Sequence, residues 1–189
     1  MKFSKVELRD LLKAWIAISV AFAILLEGQS FIIKILIAGL TVGIGFLAHE
    51  LSHKFIAQKY HCWAEFRSND FMLILAILMA FVGFIFVAPG AVVISGRMLD
   101  YRRNGIVSAA GPVSSLVLAI LFLPLAILGS GILNLIGTYG FFINAWLGLF
   151  NLIPVWNFDG KKILSWSKPF YIALVIIALA LVFGWRLIG

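Results

Sequence analysis

What most constrains this chain is the length of its uncharged stretches. No Asp, Glu, Lys or Arg occurs from residue 71 to 96, from 104 to 158, or from 169 to 185. A helix needs roughly 17–25 residues to cross a hydrocarbon core, and each block reaches or approaches that length. The 189 residues are 63% hydrophobic and 12% charged, whereas a soluble domain carries about a quarter charged residues. The expected architecture is therefore an all-α polytopic membrane protein, a single membrane-embedded unit over residues 1–189 with no soluble appendage.

Five full transmembrane helices are expected, at about 11–28, 31–59, 104–128, 132–153 and 169–187. Lys2, Lys5, Arg9 and Lys13 precede the first without a small-residue cleavage site, so that helix reads as retained rather than as a signal peptide. The second carries Gly39 and Gly43, four apart on one face, which lets a neighbouring helix approach closely. A polar stretch at 60–70 and a loop at 154–168 separate apolar segments. Cys62 is the single cysteine, which excludes an intrachain disulfide.

The block at 71–95 has two readings: a full crossing, or a re-entrant helix broken at Pro89-Gly90 and followed by a β-branched extended return. Charge decides between them. With a cytoplasmic N-terminus, the re-entrant reading leaves only Lys34 and Arg186, of 15 Lys and Arg, on the far side. A full crossing would move Arg97, Arg102, Arg103, Lys161, Lys162 and Lys168 across as well, against the positive-inside rule. Irregular backbone at membrane depth must be lined by protein or by a water cavity, so this segment belongs beside a site. The net charge of +7 fits basic loops on an anionic leaflet rather than nucleic acid.

Ionisable groups inside a membrane helix cost about 2.5–3.5 kcal/mol each on insertion scales, and the second helix carries His49, Glu50 and His53 together, in His49-Glu50-Leu51-Ser52-His53, immediately after an uncharged run. Histidines at i and i+4 lie on one helix face and can share one zinc ion. Glu50 beside them can take a proton from a water that zinc acidifies. A catalytic zinc has three protein ligands, and His61, Cys62, Glu65, Asp70, Asp100 and Asp159 are the candidates for the third. The re-entrant topology brings Asp159 to the leaflet of the histidines and favours it, although Asn157-Phe158-Asp159-Gly160 alone could be a turn.

Three motifs in order resemble the site-2 proteases, a family of intramembrane zinc metalloproteases: His49-Glu50-Leu51-Ser52-His53, Ala110-Gly111-Pro112, and Phe150-Asn151-Leu152-Ile153-Pro154 followed by Asp159-Gly160. The resemblance implies one zinc per chain held by His49, His53 and Asp159, with Glu50 as general base. Asn151, and Asn144 one heptad earlier, would then contact substrate or the oxyanion; the alternative for each is an interhelical hydrogen bond. The chain departs from the family pattern at Lys161, where many members have glycine, and at Ser114-Ser115, where many have asparagine.

The implied activity is hydrolysis of peptide bonds in or near the transmembrane segments of protein substrates, with the bilayer as the other partner. The protein would be multi-pass in a prokaryotic cell membrane, N-terminus and site facing the cytoplasm. The rival readings are a catalytically silent scaffold that binds transmembrane segments, which has no need of Glu50, and a metal transporter, against which the lack of internal symmetry counts.

Overall fold

The computed structural model describes residues 2–85, 89–96 and 100–185. Among them are α1 (Lys5–Leu25), α2 (Phe31–Lys59), β1 (Trp63–Ser68), α3 (Asp70–Ala80), β2 (Gly90–Ser95), α4 (Tyr101–Leu128), α5 (Ile132–Asn151), α6 (Asp159–Trp166) and α7 (Lys168–Gly184). Three helices, α2, α4 and α5, are long and apolar enough to cross a membrane. The expectation of five is met only that far. Helix α1 carries Arg9, Asp10 and Lys13 in its first half, and the described part of α7 has 17 residues. The remainder of the segment expected at 169–187 lies partly outside the described residues.

The 71–95 block does not form one long helix. Helix α3 ends after 11 residues, about 16 Å of rise. A turn follows, with Gly83 at φ +93°. The helix expected to run up to the Pro89-Gly90 break therefore stops short, and residues 86–88 lie outside the described set. The return strand is β2, and it pairs antiparallel with β1, in the register Trp63↔Ser95 through Ser68↔Gly90. The fold is thus not all-α. The polar stretch at 60–70 reads as a loop because Glu65 and Arg67 sit in it. In the fold the Phe66 side chain is buried against Phe46 of α2, and the two charged residues pair with each other.

Helix α2 runs 29 residues, about 43 Å, and contains one wide π turn over Gly39–Gly43. A Cβ on Gly43 would lie 2.7 Å from the Trp15 ring, and one on Gly39 3.0 Å from it. The two glycines thus let α1 lie against α2. The Trp15 indole N–H donates to the Gly39 carbonyl at 3.1 Å, supplying a partner where the π turn disturbs the regular ladder.

Candidate metal centre

His49 and His53 both point from α2 toward α4 and the start of α6. His53 Nε2 lies 3.1 Å from Asp159 Oδ2 and His49 Nε2 3.5 Å from the same oxygen. One ligand atom from each of the three residues falls within 4.8 Å of the other two, and all three side chains are buried. The other candidates for a third ligand are engaged elsewhere. Glu65 pairs with Arg67, Asp70 with Lys13 at 2.9 Å, and Asp100 caps α4 through the Arg103 amide. Cys62 is buried in the hydrophobic cluster beside β1, and His61 occupies a left-handed turn at φ +58°.

Each imidazole is oriented by its second nitrogen. His53 Nδ1 lies 2.8 Å from the Val107 carbonyl, an acceptor only, so Nδ1 donates there and Nε2 is the nitrogen left to ligate a metal. His49 Nδ1 lies 3.0 Å from Ser115 Oγ. Gly111 makes the space in front. A Cβ there would lie 2.3 Å from His53 Nε2 and 2.5 Å from His49 Nε2. Two imidazole nitrogens and a carboxylate oxygen, converging where a side chain has been left out, suit zinc, which takes nitrogen and carboxylate donors in tetrahedral sites.

Asp159 opens α6 instead of sitting in a turn. Gly160 lets that helix begin against the end of α5, because a Cβ would lie 2.1 Å from the Leu152 carbonyl oxygen. Burial opposes ionisation of Asp159, but the two neighbouring imidazoles outweigh it and hold its carboxyl below the usual carboxylate range.

Glu50, beside this trio, reaches toward β2, where its Oε2 accepts the Val92 amide at 2.9 Å. A cavity of about 350 Å³ lies between, lined by Glu50, His53, Asp159, Asn151, Val92 and Ile94, with Asn157 and Lys162 at its loop side. Asn151 thus borders the cavity, its amide donating to the Leu147 carbonyl at 2.9 Å. Asn144 does not line it. Asn144 is fully buried, donates to the Gly140 carbonyl at 2.8 Å, and fills the space beside Gly45 where α2 meets α5.

Sequence reasoning missed three contributors: Ser115, the Val107 carbonyl and the reason for Gly111. The Gly111-Pro112 motif and the Ser114-Ser115 departure were visible in the sequence. Nothing local connected them to histidines more than fifty residues earlier.

A protein of Methanocaldococcus jannaschii named "Putative zinc metalloprotease MJ0611" is 39% identical to this chain over 177 residues, covering 92% of this chain and 91% of that protein. No family model matches the chain, and no solved structure does.

Proposed function

The chain belongs to the same family of zinc metalloproteases as the Methanocaldococcus jannaschii protein, and from that membership we propose that it is an intramembrane endopeptidase of the site-2 protease type. The observation that carries this reading is the placement of the trio. His49 and His53 stand with Glu50 on a helix long and apolar enough to cross a membrane, and Asp159 meets them from α6. A soluble metalloprotease has no reason to bury its centre in such a helix.

Zinc held by the three side chains would supply Lewis acidity toward a scissile carbonyl and acidify a water. Glu50 is the group placed to take a proton from the attacking water and deliver it to the leaving amine. Asn151, at the edge of the same cavity, holds the substrate backbone or the developing oxyanion.

Substrate geometry follows from the sheet. In an antiparallel pair, opposed residues alternate between bonding each other and directing both amides outward. Phe66↔Val92 is of the outward kind, because Phe66 N–H goes to Glu7 and Val92 N–H to Glu50. The outer edge of β2 therefore faces the cavity, and among the described residues no strand pairs with it. A transmembrane helix hides its backbone in internal hydrogen bonds. In this reading a locally unwound substrate segment adds to that edge by β-augmentation. Helices α1 and α7 complete five spans, and the N-terminus and site face the cytoplasm of a prokaryotic cell.

Comparing membrane peptides that accumulate with the wild-type and the Glu50→Gln proteins tests the reading. The variant should keep its zinc and lose cleavage by a factor of about 10²–10⁴. Identical peptide profiles from two zinc-loaded proteins would favour the silent scaffold instead.

A further inference from the structure

Glu7 of α1 and Lys54 of α2 form an ion pair in which both side chains have no solvent exposure. Glu7 Oε2 accepts from Lys54 Nζ, and Glu7 Oε1 accepts the Phe66 amide of β1 at 2.9 Å. Lys54 also donates to the Lys2 carbonyl at 2.6 Å and stands 4.0 Å over the Phe3 ring. Burying two charges carries a desolvation penalty that a well-packed apolar pair avoids. Stability alone therefore gives no reason for the pair, and a buried ionic group is better attested as a device that sets register.

The connections return to the site. Lys54 stands four residues after Glu50, so both side chains leave the same face of α2. Lys54 holds Glu7, Glu7 holds the outer edge of β1 at Phe66, Phe66 opposes Val92, and Val92 holds Glu50. The two-stranded sheet is thus suspended between two carboxylates, one at each outer edge. Two strands are marginal on their own, and a slip of one residue would turn every side chain to the other face.

We propose that Glu7 and Lys54 are positioning residues for the cleavage reaction: they fix the height and register of the strand pair on α2, and so the approach of the β2 edge to Glu50. The inference rests on the protease reading. Lys54 follows His53 in the chain, but neither Glu7 nor Lys54 offers a ligand atom to the trio or lines the cavity. Their effect runs through the Phe66 amide.

The test uses the full-length protein in liposomes, with zinc content, kcat and KM on a model transmembrane substrate, and amide exchange over residues 63–68 and 90–95. Removing Glu7 alone would strand a buried ammonium group, so the informative variant is the apolar pair E7M/K54M. It should keep zinc, lose kcat about tenfold or more because the attack geometry loosens, and show faster exchange in both strands. E7Q/K54M restores an acceptor for the Phe66 amide and should recover most of the rate.

Wild-type rate and exchange in E7M/K54M would overturn the proposal, as would loss of zinc together with rate. E7Q/K54M as slow as E7M/K54M would overturn the link through Phe66. A zinc-loaded wild-type protein that cleaves no membrane substrate would instead overturn the protease reading, and with it the reaction the pair serves.

Discussion

Val92 donates its backbone N–H to Glu50 Oε2 at 2.9 Å, so the general base of the proposed reaction is tethered to the strand that would receive substrate. A substrate strand adding to β2 would compete for that same amide. Substrate pairing and release of the Glu50 carboxylate would then be one event.

Val92→Pro separates the edge from the ladder. Proline is tolerated where a strand's N–H faces away from its partner, and the Val92 N–H faces Glu50 rather than β1. The variant should keep the β1–β2 pair and its zinc while kcat falls about tenfold or more through misplacement of Glu50 and of the edge. Val93→Pro, one residue on, removes a ladder donor and should lose the strand pair itself. Amide exchange and cleavage of a model transmembrane substrate read both variants. Unchanged cleavage in Val92→Pro would remove the edge from the mechanism.

Gly111→Ala tests the space in front of the histidines. The added Cβ would lie 2.3 Å from His53 Nε2 and 2.5 Å from His49 Nε2, well inside van der Waals contact, so both imidazoles would have to move. Zinc content per chain should drop sharply, and helix content by circular dichroism should hold. Full zinc occupancy in this variant would mean that the metal does not sit between α2 and α4.

Much of the site was legible in the sequence because membrane burial makes ionisable residues rare. His49, Glu50 and His53 stood out from an apolar helix, and few acids could join them. The strand β1 was not legible. Glu65 and Arg67 made the stretch read as polar, and only the fold reveals that they pair with each other while Ala64 and Phe66, alternating with them along the strand, are buried. The helix ending at Ala80 was hidden for the opposite reason. In the uncharged run from 71 to 88 the one break is Gly83, and glycine is common enough inside membrane helices that it does not by itself separate a short helix from a spanning one. The Glu7–Lys54 pair was hidden as well, because its two members lie in different helices, 47 residues apart.

Asn151 and Asn144 should separate by assay. Asn151 borders the cavity, so Asn151→Ala should lower kcat/KM by about 10²-fold, the effect of removing an oxyanion donor, with thermal stability near that of wild type. Asn144 joins helices, and its Oδ1 and Nδ2 fill the place a Gly45 side chain would take. Asn144→Ala should cost about 0.6–2 kcal/mol of stability, the range of interhelical hydrogen bonds, while the surviving folded protein keeps its kcat. The reverse pattern would exchange the two roles.

The re-entrant topology makes a prediction that needs no enzyme assay. Tyr101 and Leu128 mark opposite ends of α4 and are each 84% exposed in the fold. The 28 residues between them span about 42 Å, enough to put the two ends on opposite sides of a bilayer. In a Cys62→Ser background, a cysteine at Tyr101 should react with a membrane-impermeant maleimide only from the cytoplasmic side, together with one at Lys5. A cysteine at Leu128 should react only from the other side. Charge supports this orientation, since Arg102, Arg103, Lys161, Lys162 and Lys168 then share a side with the N-terminal lysines. External labelling at Tyr101 would require residues 71–95 to cross the membrane, a crossing for which the 11-residue α3 and the strand β2 leave no long helix.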